Sequence, residues 1–467
     1  MLNLENIFGK SVMNKGVLSA EEIAEILKTD KESLKKFEDI YKTNVLEQEA
    51  GNSLFETNSR QASAMLQKSV TPDEIVNRIV DELLNITKTY EYDGKRGSYT
   101  VWKSENPVNP VTSEEILQFP KDLRPQFTGT LTKRDICCNS YPAILYQYKM
   151  WKDHKGTKLG TRFYHMFRQG LDILDLDAVL YEMIGMNPNS MGFWLPPLAE
   201  AAEDSSFFKI PKTIILKVPI TLLQMTRNNY ELMTPTTIRI INEYCKKVFR
   251  LDPSKEYFLK TGTYSSKFDF RNAYVHESSE VNEIGQYLLY IHYQALMMAS
   301  PLTKPCIYGV STTNEWVVRE FIKDTENNPC IYKGLPLHTE YRLFVDFDTD
   351  KVIGETPYWR SDVMKQRFSR ESDASSPHQK HDYAVYLSHE DKLMERYNEN
   401  IKTVVNEMEH MAENVRLHGQ WSVDIMQNGN DFYIIDMATA STSAFNDCIP
   451  KNLLRKDEEN WIPKISV

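Results

Sequence analysis

The sequence predicts an α+β protein, and two features of its pattern after Lys209 carry that reading. Short β-branched and aromatic runs recur at 213–218, 257–261, 315–322, 340–347, 352–356, 421–426 and 432–437. Segments with helical spacing separate them, at 236–249, 281–299 and 391–417. Strands that ladder locally, with helices packed to one side, are the layout this order implies.

Residues 1–205 read as mainly helical. In 19–42, Ile23, Ile26, Leu27, Leu34, Phe37 and Ile40 fall at helical spacing. A further helix is predicted to start at Thr71, a capping residue followed by Pro72 and by the acids Asp73 and Glu74. Proline-containing connectors follow at 106–110 and 119–120, then helical patches over 162–186. No catalytic signature stands out in this half. The aromatic and Met-rich stretch 181–198 suits either core packing or a docking surface. Residues 360–382 are polar and Ser-rich and read as a long loop, with Arg360, Arg367 and Arg370 as candidate substrate contacts.

A chain of 467 residues has room for two or three folded units. Its 41% apolar and 26% charged content sets disorder aside. A net charge of −10 argues against nucleic acid as the main partner, because phosphate backbones call for a basic surface. The six cysteines form no CxxC pair; Cys137 and Cys138 are the one close spacing, so neither a zinc site nor a disulfide framework is expected. No run approaches a bilayer-spanning length, and MLNLENIFGKSVMNKG lacks the pattern of a secretory signal. Cytoplasm, with no membrane partner, is the expectation.

Five stretches carry chemistry. Asp424 and Asp436 interrupt two apolar runs joined by a hairpin with Asn428-Gly429 at its turn. A carboxylate in an apolar strand is costly unless paired or bound to a cation. The two are either solvent-facing strand ends or ligands that hold Mg²⁺ against a polyphosphate. Lys260 ends a β-run that leads into Thr261-Gly262-Thr263, then Ser265, Ser266 and Lys267. This is either an ordinary polar hairpin or a phosphate-cradling flap. Lys217 lies in another apolar run, at a strand edge or as a second ligand. Glu320, Phe321 and Ile322 close a strand that either reaches the surface or offers its backbone to a base. Glu340 and Arg342 share one strand face, as a surface ion pair or with Arg342 aimed at an anion.

In linear order these stretches resemble the ATP-grasp superfamily, over residues 212–446. Within it the likeness is to the cell-division-cycle protein 123 family and related microbial and phage ATP-grasp proteins. Phe258-Leu-Lys260 through Ser265-Ser-Lys267-Phe-Asp269, Val317-Val-Arg319-Glu320-Phe321, and Glu340-Tyr-Arg342-Leu-Phe-Val followed by Val352-Ile-Gly354 carry it, with the hairpin ending Ile435-Asp436. The resemblance implies two α+β subdomains clasping ATP, at 206–310 and 311–467, behind the helical 1–205 region. It implies Lys260 and Lys217 on the phosphates, Ser265, Ser266 and Lys267 on a closing flap, and Glu320, Phe321 and Ile322 at the adenine. Arg342 would meet the γ-phosphate or the developing acyl phosphate, with Asp424 and Asp436 on Mg²⁺. One departure stands out: the family's terminal motif runs acid, any residue, asparagine, whereas here it is Asp436-Met437-Ala438, with Thr439 or Asn446 as candidate replacements. No GxxxxGK[ST] phosphate loop is present.

Two functions are therefore expected. One is a carboxylate–amine (or thiol, or hydroxyl) ligase that works through an acyl phosphate on a peptide or protein. The other is an ATP-dependent binding or assembly protein with little turnover.

Overall fold

The structure is a computed structural model. It describes residues 71–106, 153–163, 187–203, 205–226, 233–299, 313–368 and 377–455, with shorter pieces between 111 and 126 and single positions at 185 and 231. The helix expected at 19–42, nearly all of that at 162–186, the Cys137-Cys138 pair and Arg370 lie outside the described residues.

The described chain opens with α1 (Pro72–Leu84), the hairpin β1 (Lys88–Tyr92) and β2 (Gly97–Val101), and α2 (Met191–Ala202). Next come β3 (Phe208–Lys209), β4 (Thr213–Lys217), α3 (Ile220–Met225), α4 (Pro235–Phe249) and β5 (Tyr257–Thr261). A short 3-10 turn (Lys267–Asn272) leads to β6 (Tyr274–Val275), α5 (Ser278–Asn282) and α6 (Ile284–Ala299). After β7 (Glu315–Glu320) follow β8 (Cys330–Ile331), β9 (Leu335–Pro336), β10 (Thr339–Asp346) and β11 (Lys351–Pro357). The chain ends with α7 (Ser361–Phe368), the long α8 (Pro377–Ala412), β12 (Gln420–Asn428) and β13 (Asp431–Thr439).

Mixed α+β architecture is thus observed, built on two main sheets. The first has strand order β2-β1-β4-β7-β5-β6 and the second β11-β10-β12-β13-β3. One face of the first sheet, with Leu216, Leu259, Trp316 and Val318, packs on α1, α4 and α6 through Ile79, Leu83, Ile240, Tyr244 and Leu288. One face of the second, with Tyr341, Leu343, Val423 and Ile425, packs on Val404, Met408 and Met411 of α8 and on Trp194 and Leu198 of α2. Each sheet therefore has one face covered by helices. The first sheet's other face packs in part on α2 through Tyr90, Ile215 and Val317, and beside that contact it faces the second sheet across a cleft.

Capping accounts for sharp helix starts. Thr71 Oγ1 accepts the Glu74 N–H at 3.3 Å, and Pro72 occupies the first helical position. Thr234 does the same for α4, where Pro235 follows it.

Several expectations are corrected. The region read as mainly helical contributes a hairpin, because Tyr90 and Tyr92 alternate inward and β1 pairs with β4. Sheet membership also crosses the expected boundaries at 205 and 310: β7 joins the first sheet between β4 and β5, while β3 pairs with β13 in the second. The polar stretch 360–382 is not one loop. Its first part is α7, started by Ser361 and Asp362 and anchored by buried Met364 and Phe368 one turn apart; α8 begins at Pro377. In the β12–β13 hairpin the two-residue turn is Gly429-Asn430, and only Gly429 has positive φ, at 62°. In the 181–198 stretch, Met191, Trp194, Leu195 and Leu198 are core.

Candidate functional site

Strand alternation sets the cleft walls. Phe258 and Lys260 share a face of β5, and Phe258 lies opposite Arg319 of β7 in register. In the second sheet Glu340 lies opposite Met426 and Arg342 opposite Asp424, so all four share a face. Asp424 in turn lies opposite Asp436 of β13, and the register shifts there: the next pair is Ile425 with Ile434. That bulge leaves Ile435 extra, so Ile435 and Asp436 both line the cleft.

The cleft encloses about 860 Å³, counting its open mouth. Phe258, Phe270, Phe321, Leu335, Pro336 and Met426 make an apolar end. Lys260, Lys267, Arg319, Glu340, Asp424 and Asp436 make a charged one.

The charged end is internally paired. Lys260 Nζ is 2.9 Å from Asp436 Oδ1, bridging the two sheets. Burial lowers the Lys260 pKa, against the pull of Asp436. Arg342 grips Asp424 with Nε and Nη2, both at 2.7 Å, a bidentate geometry. Burial works against the Arg342 charge, but Asp424 more than offsets it and raises the pKa. Arg319 donates to Thr213 Oγ1 at 3.1 Å and to the Ile435 carbonyl at 2.5 Å, tying β7 to the bulge. Burial lowers its pKa to about 10. Glu340 is buried, and desolvation pushes its carboxyl up to about 7, with Lys267 and Arg342 opposing and Asp424 adding to the rise.

Behind Lys260 sits Glu315, whose Oε2 accepts the Gly192 N–H at 3.0 Å. Burial raises its pKa to about 7, against Lys217 and Lys260. A Cβ on Gly262 would come 2.5 Å from Glu315 Oε2 and 2.6 Å from Thr313 Oγ1, so glycine is required where the chain leaves β5.

The cleft brings together Lys260, Ser265, Lys267, Glu320, Phe321, Ile322, Asp424 and Asp436 from the sequence expectation, with Arg342 bonded to the Asp424 carboxylate beside it. Two members fall elsewhere. Lys217 pairs in register with Glu315 and lies beside it, outside the cleft lining, because β7 stands between β4 and β5. Ser266 is buried and donates its hydroxyl to Gln294 Oε1 of α6 at 2.9 Å. Arg342 bonds Asp424 across the strand pair, whereas Glu340 was expected to support it. At the hinge, the Glu320 and Phe321 amides are committed to the Lys212 and Glu256 carbonyls, both at 2.9 Å. Of the three hinge amides, that leaves Ile322's, which makes no hydrogen bond among the described residues.

Arg319, Glu315, Met426 and Ile435 were not singled out by the sequence. Arg319 stood inside a recognisable stretch, and a charge directly after the apolar Trp316-Val317-Val318 was the available signal.

Among the described residues, no three His, Cys, Asp or Glu side chains converge as a protein-only metal cage requires. Mg²⁺ that arrives with a polyphosphate needs only one or two carboxylates, and Asp424 and Asp436 fit that demand. Neither candidate replacement for the missing asparagine lines the cleft. Asn446 donates to the Ser441 carbonyl at 3.1 Å, and Thr439 Oγ1 lies 2.9 Å from Thr442 Oγ1. Among the described residues no helix is long and apolar enough to cross a membrane.

No protein-family model matches the sequence, and no curated protein matches it. Two solved structures of Cdc123 from Schizosaccharomyces pombe share 11% identity with it. The C-terminally truncated form aligns over 59% of this chain and 95% of its own, with a TM-score of 0.33. The other aligns over 57% and 93%, with a TM-score of 0.32. At such scores the likeness is a partial overlap of elements, and no assignment rests on it.

Proposed function

We propose that the cleft binds Mg-ATP as ATP-grasp proteins do, and that the chain transfers the γ-phosphoryl group to a carboxylate of a peptide or protein. The observation that carries this reading is the polarity of the cleft. An aromatic and apolar end that accepts a base adjoins an end where three cations and three carboxylates converge from two sheets.

In this reading the base lies among Phe258, Phe270, Phe321 and Met426, with the Ile322 amide at its edge. Lys260, Lys267 and Arg319 neutralise the phosphates, and Arg342 meets the terminal one. Mg²⁺ would be held by Asp424 and Asp436, where it lowers the charge of the phosphates. Without it, those carboxylates and Glu340 repel a triphosphate. Transfer breaks the bond between the γ-phosphorus and the β–γ bridging oxygen, leaving ADP. A carboxylate oxygen bonds to phosphorus, and an amine then attacks the acyl carbon, expels phosphate and releases a proton. The residues supply positioning and charge neutralisation.

A second reading, ATP-dependent binding or assembly with little turnover, is favoured by one feature. Ala438 stands where an amide ligand is expected, and neither Thr439 nor Asn446 lines the cleft. Calorimetry of Mg-ATP with wild type and Lys260→Met tests the shared premise: binding in the first and none in the second is expected, and a wild type that binds no nucleotide sinks it. Release of ADP on adding a peptide acceptor selects the ligase. Tighter capture of a protein partner with ATP, without ADP release, selects the assembly role.

A further inference from the structure

Tyr358 follows directly on β11, and its ring receives a cation from each side of the cleft. Lys267, from the flap after β5, places its ammonium 4.2 Å from the ring centroid and donates a hydrogen bond to the Tyr358 hydroxyl. Arg342, from β10, places its guanidinium carbon 4.8 Å from the same centroid. The two cations belong to opposite walls, yet one side chain holds both.

The ring is itself fixed. The Tyr358 N–H donates to the Glu340 carbonyl at 3.0 Å. Trp359 meets its edge at 5.2 Å and Phe445 at 6.3 Å between centroids. Trp359 is anchored in turn by its indole N–H on the His338 carbonyl at 3.1 Å. The Phe445 ring also borders Arg342, its centroid 5.5 Å from the guanidinium carbon.

Position along the strands says which phosphate this pair meets. Met426 belongs to the apolar end, and Glu340 is opposite it. Arg342 and Asp424 lie two residues farther from that end. A nucleotide with its base among the aromatic residues therefore brings its last phosphate to Arg342, and Lys267 arrives there through Tyr358. Two like charges converging on one point repel each other. The Tyr358 ring and hydroxyl attract both cations without adding a further negative charge to those of Glu340 and Asp424, which would repel the phosphate.

We propose that Tyr358 is a positioning residue that holds Lys267 of the flap and Arg342 of the second sheet together on the γ-phosphate of ATP. It rests on the Mg-ATP reading of the cleft. Tyr358 makes the closed flap specific for a triphosphate, because ADP ends short of the pair it organises.

The test is the affinity of the full chain for Mg-ATP and Mg-ADP, measured by calorimetry on wild type, Tyr358→Phe and Tyr358→Leu. Loss of two cation–ring contacts in Tyr358→Leu should weaken Mg-ATP about tenfold and Mg-ADP less than about twofold. Tyr358→Phe keeps the ring and loses only the hydroxyl acceptor, so its Mg-ATP affinity should fall between the other two, with unchanged Mg-ADP binding. Equal weakening of ATP and ADP would assign the ring a purely structural role and overturn the proposal, as would unchanged ATP affinity in Tyr358→Leu. If Tyr358→Leu fails to fold, Tyr358→Phe decides by the same ratio. A wild type that binds both nucleotides with no variant effect refutes the role of Tyr358 alone, whereas a wild type that binds neither refutes the site.

Discussion

Lys260 of β5 and Asp436 of β13 form an ion pair across the cleft at 2.9 Å, and the two ends of that pair sit in different surroundings. The lysine side chain is 2% exposed and the aspartate 38%. Removing the buried partner and removing the exposed one therefore have unequal effects. Lys260→Met fills the same space without a buried charge and leaves an aspartate that water can reach. Its unfolding midpoint should match or exceed that of wild type, with Mg-ATP binding lost. Asp436→Ala leaves the ammonium buried without the carboxylate it faces, and should lower stability by about 1–3 kcal/mol after allowance for solvent around the aspartate. Urea unfolding of the two variants separates these outcomes, and equal destabilisation would contradict the asymmetry.

Glu315 links the lysine strand to pH. Desolvation raises its pKa from 4.5 to about 7 in the folded chain. Between those values the folded state keeps a proton that the unfolded state has lost, so this group's stabilisation is complete below 4.5 and declines as pH rises to 7. Every tenfold difference in proton affinity between the folded and unfolded states is worth about 1.4 kcal/mol. Gln cannot ionise, so Glu315→Gln should lose less stability than wild type between pH 5 and pH 8, by about 2 kcal/mol. Taking the difference between the two proteins cancels the parallel effects of Glu82 and Glu340, which also titrate near 7. A difference that does not change with pH would show that Glu315 ionises normally.

Gly262 is predicted to be intolerant of any side chain. A Cβ there meets Glu315 Oε2 and Thr313 Oγ1 at 2.5 and 2.6 Å, and both acceptors are themselves fixed, by the Gly192 N–H and by Ser190 Oγ at 2.9 Å. Gly262→Ala should cost about 1–3 kcal/mol by overpacking. Thr263→Ala, one residue on at a half-buried position, should change stability by less than about 0.5 kcal/mol. Thermal unfolding of the pair checks the contrast.

The second sheet was largely legible because its strands stand out as β-branched and aromatic runs. Period two alone puts Glu340 and Arg342 on one face of β10, whereas Asp424 and Asp436 join that face only through strand pairing. The bulge at Ile435 was not legible, because nothing in Tyr433-Ile434-Ile435-Asp436 marks which isoleucine is extra; only pairing with β12 decides it. Lys217 was placed on the phosphates by a resemblance to a linear order. The order of strands in space, with β7 between β4 and β5, removes it from the cleft. The α7 helix was hidden by its charged surface, although Met364 and Phe368 were spaced one turn apart. Tyr358 carried no signal at all, since an aromatic residue after a strand is ordinary until two cations are seen on its ring.

Nucleotide binding should depend on a divalent cation more steeply than in a site lined by cations alone. In the cleft Arg342 is bound to Asp424 through two hydrogen bonds of 2.7 Å, and Lys260 is paired with Asp436. A triphosphate entering without metal must break those pairs and lie against two freed carboxylates. With Mg²⁺ present the carboxylates have a new partner, and both cations turn to the phosphates. Chelation of Mg²⁺ should therefore weaken ATP binding by more than about tenfold, or about 1.4 kcal/mol. Asp424→Asn should reverse part of this. Its amide removes one negative charge and loosens the grip on Arg342, so metal-free ATP should bind it more tightly than it binds wild type, while the gain from adding Mg²⁺ shrinks. Calorimetry with and without Mg²⁺ on both proteins gives the two ratios. If Asp424→Asn lowers metal-free and Mg-supported binding alike, the aspartate acts only as a strut for Arg342, and the exchange of partners does not occur.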